Sequence, residues 1–270
     1  LKAAMAERSV QDLGLLEFHR RYLPDTPAPA TMAPATAHYS WPKAASLLGL
    51  GRGAVRRIRV DLDARTDPVA LRHELETCLA EGRPVVQVVA VVGSTEESAV
   101  DPVREIVAIR EEFRERGLEF SLHADAAWGG YFAAMLREPK AERMARELEA
   151  QGRDDEAAKL IASTYGFDDI RLDDLKCIGE AFSWRNRHFA PSVRMSDYVR
   201  RQYEALGQCD SITVDPHKSG FVVYPAGSLC YRNGAMRRTI AFASPVVDHG
   251  DVAASVGFYG IEGSKPGAAA

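Results

Sequence analysis

Residues 84–92 read PVVQVVAVV, an apolar run rich in valine that a single glutamine interrupts. Such a run is typical of a strand buried on both faces, as in a parallel sheet covered by helices. Downstream, Asp101-Pro102 opens a predicted helix that continues to about Arg116, and residues 118–124 form another apolar strand. Strand, helix and strand at this spacing predict a βαβ unit with parallel strands.

The segments upstream continue the same alternation. Residues 54–62 (AVRRIRVDL) alternate apolar and polar side chains, which predicts a half-buried strand, and residues 69–79 have helical spacing. Residues 1–20 read as an amphipathic helix, and residues 24–34, with four prolines, as a surface connection. The sequence therefore predicts an α/β fold, with a mostly parallel sheet flanked by helices.

Residues 137–206 break this alternation because they are rich in charged side chains. They predict helices that each have one solvated face. We interpret them as a helical insertion in a single large domain that spans residues 1–270.

Composition narrows the function classes. The chain has 270 residues and a net charge of -4, so no basic excess indicates binding to nucleic acid or to an anionic membrane. No apolar run approaches the length of about 20 residues that a membrane span requires. The four cysteines are scattered and form no CxxC pair, which favours a reduced, cytoplasmic protein. A small-molecule ligand is the expected partner.

Ligands of parallel sheets bind beyond the carboxyl ends of the strands, which here are residues 93–98, residues 125–130 and the segment after Val214. The last segment contains DPHKSG at residues 215–220. Lys218, beside a histidine, is placed for imine chemistry, which needs an amine that loses its proton near neutral pH. The alternative is a surface lysine in a turn, which this motif alone does not exclude.

The second motif is LHADAAWGG at residues 122–130, where Asp125 ends a predicted strand. A buried carboxylate needs a cationic partner, such as a protonated pyridine nitrogen, although an aspartate here is also able to cap a following helix. Small residues favour the first interpretation because they leave space for a flat group: Ala126, Ala127, Gly129 and Gly130.

Two further motifs are less decisive on their own. His38, in HYSWPK at residues 38–43, is placed either to lie on a flat aromatic ring or to be satisfied by hydrogen bonds in a loop. Residues 93–102 (GSTEESAVDP) are rich in hydroxyl groups, which suit either the polar groups of a cofactor or the cap of the helix that follows.

In this order, the four motifs resemble the group II pyridoxal-phosphate decarboxylases, which include glutamate, aromatic-amino-acid and tyrosine decarboxylases. The likeness is greatest to the bacterial tyrosine decarboxylase branch, over roughly residues 35–130 and 207–270. The resemblance implies pyridoxal 5'-phosphate (PLP) as the cofactor. It also implies the large domain of a fold-type I PLP-dependent transferase, incomplete at both ends.

The resemblance further implies roles for individual residues. Lys218 would form the imine with the cofactor, and Asp125 would pair with the ring nitrogen. His38 and Ala127 would lie on the two faces of the ring. Two residues would lie near the phosphate and near the ring substituents, respectively: His217 and Thr95.

The sequence departs from this family in two places. The Ser/Thr/Gly-rich phosphate loop has no match upstream of His38, and neither the mobile loop nor the small C-terminal domain follows the lysine. We therefore expect a fragment that alone binds cofactor weakly and turns over little. Lys265 is the rival for the cofactor lysine. Arg185, Arg187 and His188 are candidates to bind a substrate carboxylate, although a solvated helix face suits them better.

The function implied by the resemblance is decarboxylation of an L-amino acid, tyrosine first and glutamate second, by a homodimer in the cytoplasm. Three alternatives stay open: another PLP-dependent lyase reaction, a non-catalytic remnant of a PLP enzyme, and a metal hydrolase built from His123, Asp125 and His217. The preferred interpretation includes no metal, since no third close ligand joins His123 and Asp125.

Overall fold

The computed structural model describes residues 7–136, 140–165, 182–184, 187–189 and 195–236. These residues form two compact units, of which the second is Tyr131–Glu204 and the first comprises the residues on either side of it. The first unit contains a six-stranded sheet made of β1 (Ala30–Pro34), β2 (Val55–Ile58), β3 (Val85–Val91), β4 (Ser121–Asp125), β7 (Ser211–Val214) and β8 (Ser228–Tyr231).

The strand order in this sheet is β2-β1-β3-β4-β7-β8. The first five strands in that order are parallel, and β8 pairs antiparallel with β7 at the edge. Long connections that contain helices join the parallel strands, as parallel pairing requires. The predicted α/β class with a mostly parallel sheet is therefore confirmed.

The helices of the first unit are α1 (Val10–Leu13), α2 (Leu15–Tyr22), α3 (Ser40–Leu47), α4 (Pro68–Ala80) and α5 (Val103–Glu115). The start of α4 follows from its sequence, because Asp67 Oδ1 accepts a hydrogen bond from the Val69 N–H at 2.9 Å. The buried faces of α4 and α5 supply much of the core: Leu71, Leu75, Ile106, Ile109 and Phe113. No helix in the described ranges is long and apolar enough to cross a membrane.

Strand β1 contradicts the predicted surface connection at residues 24–34. It lies between β2 and β3, and four of its five residues are buried. Its sequence, ATMAP, does not predict a strand, because it has mostly small residues where strands usually have β-branched or aromatic ones. Ala33 packs under the Trp41 side chain, and Pro34 is tolerated as the last residue of the strand.

The second unit contains a 3₁₀ helix (Gly130–Leu136), α6 (Lys140–Glu149), α7 (Asp154–Tyr165), the hairpin β5–β6 (Phe182–Trp184 and Arg187–Phe189) and α8 (Asp197–Ala205). α6 and α7 pack on each other and bury Ala145, Ala157 and Ile161. The assignment of residues 137–206 as an insertion stays a prediction. Lys265 and Arg185 lie outside the described residues, as do the side chains of Arg187 and His188.

Candidate active site

A cavity of about 900 Å³ lies at the carboxyl ends of β3, β4 and β7 and extends along one face of the sheet. All three segments that follow these strands contribute to its lining, as does the loop after β1. Five of the six residues with a predicted role line it: Lys218, Asp125, His38, Ala127 and Thr95. The sheet therefore gathers these five side chains, which come from four separate segments of the sequence, around one space.

Backbone and side-chain hydrogen bonds hold the loop with Asp125 beside the turn with Lys218. Strands β4 and β7 are paired, and the two segments follow them directly. The Asp215 N–H donates to the Ala127 carbonyl at 3.2 Å, and Ser219 Oγ donates to the Trp128 carbonyl at 2.5 Å. The amine and the carboxylate thus belong to two segments that are joined at two points.

The Lys218 side chain is mostly buried and has a carboxylate as its nearest charged partner. Its Nζ lies 2.9 Å from Asp215 Oδ2 and 5.2 Å from the centre of the Trp128 ring. Asp215 lies three positions before Lys218, and its motif indicates the adjacent histidine more readily than this carboxylate. His217 is exposed and does not line the cavity, because its Nδ1 faces the backbone of Ala226.

The Asp125 carboxylate accepts hydrogen bonds on both oxygens. Trp41 Nε1 donates to Oδ2 at 3.1 Å, and the Ala127 N–H donates to Oδ1 at 3.4 Å. The segment that follows is a turn leading to a 3₁₀ helix, so Asp125 does not cap an α-helix. Trp41 belongs to the motif at residues 38–43, and no local pattern in that motif indicates this contact with Asp125.

The four small residues after Asp125 differ in what they contact. Of the four, only Ala127 lines the cavity. Ala126 is fully buried, and Gly129 donates its N–H to the Val92 carbonyl at 3.0 Å. A Cβ on Gly130 would lie 2.6 Å from a methyl group of Val214. At Gly129 and Gly130 the missing side chains therefore let the segment after β4 pack closely on the loop after β3 and on the end of β7, whereas Ala127 faces the cavity.

The hydroxyl-rich segment after β3 is held by hydrogen bonds between its own residues. Ser94 Oγ donates to Glu97 at 2.8 Å and accepts from the Ala99 N–H at 3.0 Å. Helix α5 begins after Pro102 without a side-chain cap, so the capping alternative is wrong. Thr95 remains exposed and lines the cavity. At the base of the segment, Gly93 has a φ of 89°, and a Cβ there would lie 3.0 Å from the Gly129 nitrogen.

The two histidines of the cavity differ in environment. His38 is exposed, and its Nδ1 lies 2.8 Å from Ser40 Oγ. His123 is buried, with Nδ1 2.8 Å from Ser211 Oγ and Nε2 3.1 Å from Thr213 Oγ1. Burial lowers the pKa of His123, although the charge of Asp125 opposes this shift. Within the described ranges, no group of three or more His, Cys, Asp or Glu side chains is arranged to hold a metal.

Two solved structures share the fold. Mouse CSAD in apo form matches with a TM-score of 0.52 at 21% identity, over 93% of this chain and 39% of that chain. Oryza sativa TDC with PLP and tryptamine matches with a TM-score of 0.50 at 18% identity, over 83% and 33%. These likenesses show the fold, in which the cavity lies at the carboxyl ends of the parallel strands.

Sequence comparison is more specific. The pyridoxal-dependent decarboxylase conserved domain matches residues 17–149. L-tyrosine decarboxylases from Levilactobacillus brevis and Enterococcus faecalis are 36% and 35% identical to the chain, each over 88% of it and 34% of the relative. The chain belongs to the pyridoxal-dependent decarboxylase family, and its cofactor is PLP. It spans about a third of the length of these curated relatives.

Proposed function

We propose that the chain is the cofactor-binding core of an amino-acid decarboxylase, which converts a tyrosine-like L-amino acid to its amine and CO2. The observation that carries the proposal is the placement of Lys218 and Asp125, which follow two paired parallel strands and line one cavity. The names of the bacterial relatives support tyrosine as the first substrate to test, and glutamate is the second.

The chemistry of the cavity residues fits PLP. Lys218 offers a primary amine for an imine, and Asp125 offers a carboxylate for the pyridine nitrogen. His38 and Ala127 are the proposed contacts of the two ring faces, and Thr95 of the ring substituents. When bound, the cofactor accepts the electron pair that the departing carboxylate leaves on Cα.

The proposed contact of His217 with the phosphate has less support than the other five, since the His217 ring lies outside the cavity.

Asp215 has a proposed role in positioning the lysine. A protonated amine is not a nucleophile, so Lys218 must lose a proton before it forms an imine. Asp215 Oδ2, 2.9 Å from Lys218 Nζ, fixes the protonated amine in the cavity as an ion pair until that proton passes to water. Trp128 covers one side of the amine and limits the access of water.

Asp125 and the ring contacts have complementary proposed roles. The negative charge of Asp125 favours a proton on the ring nitrogen, which strengthens electron withdrawal by the ring. Residues on the two faces fix the plane of the ring, and that plane determines which bond to Cα is aligned for cleavage. The carboxylate leaves when the substrate is held with its Cα–carboxylate bond perpendicular to that plane.

The proposal includes a homodimer in the cytoplasm. Cys78, Cys209 and Cys230 are free thiols in the described part of the chain, in keeping with a reducing compartment. Light scattering of the purified protein should give twice the mass of the 29.6 kDa chain. A monomer at micromolar concentration would contradict the homodimer.

Borohydride trapping tests the assignment of the lysine. The chain is incubated with PLP and reduced, which converts a transient imine into a stable pyridoxyl-lysine that mass spectrometry locates. We expect the adduct on Lys218 and its loss in Lys218→Arg. The matched control Lys43→Arg alters an exposed lysine of α3 and should leave the adduct unchanged. An adduct on Lys265 would refute the assignment.

The reaction is tested by product analysis. The chain with PLP is incubated with tyrosine or glutamate, and CO2 and the amine are measured. Slow release of both products in equal amounts, with tyrosine preferred, is the expected result. An aldehyde or a transaminated product would favour the other PLP-dependent lyase reaction. Absence of any product from the unreduced chain, when a separate reduced sample gives the Lys218 adduct, would favour the non-catalytic remnant.

A further inference from the structure

The hydrogen bond between Trp41 and Asp125 joins two motifs that are 84 positions apart. Trp41 lies in the first turn of α3, and its Nε1 donates to Asp125 Oδ2 at 3.1 Å. The indole is partly buried and packs against Ala33, Val89 and Val91 of β1 and β3. The donor is therefore carried by a side chain that is held by the sheet.

A second contact fixes the indole from another side. The Trp41 and His123 rings meet edge to face, with centres 5.5 Å apart and planes at 65°. His123 is itself fixed, because both of its ring nitrogens face hydroxyl groups of Ser211 and Thr213. Packing and ring contact thus leave the indole N–H little freedom to turn away from Asp125.

The Asp125 carboxylate depends on such a partner for its orientation. The torsion that turns a carboxylate about its Cβ–Cγ bond is broad, so the side chain alone sets no preferred plane. Its other hydrogen bond, from the Ala127 N–H, is long at 3.4 Å. Trp41 therefore provides the shorter of the two contacts that define the plane of the carboxylate.

We propose that Trp41 is a positioning residue for Asp125, because its indole N–H holds one carboxylate oxygen while the other oxygen receives the ring N–H of PLP. An ionised carboxylate accepts up to about four hydrogen bonds, so both donors are accommodated together. This inference rests on the proposed role of Asp125. It assigns to Trp41 an effect on the proton of the ring nitrogen.

The experiment compares two variants of Trp41 that both have a smaller side chain, of which only one keeps an N–H hydrogen-bond donor. Trp41→Phe has no N–H, whereas the imidazole of Trp41→His is able to place Nε2 at the position of the indole Nε1. Tyr39→Phe, an exposed neighbour whose hydroxyl has no role in the proposal, is the matched control. Asp125→Asn is the positive control.

Each protein is treated with ¹⁵N-labelled PLP and reduced with borohydride, so that occupancy does not depend on affinity. The ¹⁵N resonance of the ring is followed against pH, which gives the pH at which the ring nitrogen loses its proton. We expect this midpoint to fall by about one pH unit in Trp41→Phe, a tenfold change, and to be largely restored in Trp41→His. Tyr39→Phe should match the unmodified chain.

The outcomes separate this inference from the proposed function. Absence of an adduct on Lys218 in the unmodified chain would overturn both. An unchanged midpoint in Asp125→Asn would refute the role of Asp125, and with it that of Trp41. A lower midpoint in Asp125→Asn together with an unchanged one in Trp41→Phe would refute Trp41 alone, as would equal falls in the Phe and His variants.

If Trp41→Phe does not fold, benzothienylalanine at position 41 replaces the N–H by sulfur at almost unchanged shape. It should lower the midpoint as Trp41→Phe is expected to do.

Discussion

Replacement of Gly130 by alanine is expected to destabilise the fold by about 1–3 kcal/mol, the usual cost of overpacking. The added Cβ would lie 2.6 and 2.9 Å from the two γ-methyl groups of Val214, so either the loop or the strand must move. Gly130 ends the segment that begins at Asp125, and Val214 is the last residue of β7. The strain therefore falls between the two segments of the candidate site.

Urea unfolding of the purified chain, followed by circular dichroism, measures the effect. Val214→Ala removes both methyl groups, so adding Gly130→Ala to it should cost much less than adding Gly130→Ala to the unmodified chain. The matched control is Gly207→Ala, because a Cβ at Gly207 would meet no atom within 4 Å. An equal cost of Gly130→Ala in both backgrounds, or no cost in either, would refute the packing argument.

Three further predictions concern the protonation of individual side chains. Burial lowers the pKa of His123 below its usual 6.5, so the unfolded chain binds a proton at His123 more readily than the folded chain does. The free energy of unfolding should therefore fall as the pH drops below about 6.5, and this fall should be smaller in His123→Asn. Burial raises the pKa of Asp101 to about 6 from 3.8, so the folded chain keeps a proton that the unfolded chain releases. Its contribution of about 3 kcal/mol is present below about pH 4 and lost as the pH rises through 6, a dependence that Asp101→Asn should flatten in urea titrations. Asp215→Asn removes the ion-pair partner that favours the protonated amine, so imine formation between PLP and Lys218 should be faster near neutral pH in stopped-flow absorbance, and an unchanged rate would contradict the role of the ion pair.

Elements with strong local signals were predictable from the sequence. The valine run at residues 84–92 contains β3, and the start signal at Asp67-Pro68 marks the first turn of α4. Their sequences specify them because β-branched residues favour strands and an aspartate N-cap satisfies free N–H groups. Strands β1 and β8 were not predicted. Their sequences, ATMAP and SLCY, are short, and they form strands only by pairing with strands elsewhere in the sheet.

The candidate site was predictable in part, for a related reason. Lys218 and Asp125 follow strands, and the rule that ligands bind at the carboxyl ends of parallel strands locates them without knowledge of the tertiary structure. The hydrogen bond from Trp41 to Asp125 depends on how α3 packs over the sheet, which no local pattern encodes. The tight packing of Gly130 on Val214 likewise appears only when the strands are assembled.

The central claim is that one PLP molecule is held at opposite ends by Lys218 and Asp125. A crystal structure of the chain after PLP treatment and borohydride reduction tests it most directly. We predict continuous density from Lys218 Nζ to the cofactor, with an Asp125 carboxylate oxygen about 2.7–3.2 Å from the ring nitrogen. A cofactor bound to another lysine, or a ring nitrogen beyond hydrogen-bonding distance of Asp125, would contradict the account.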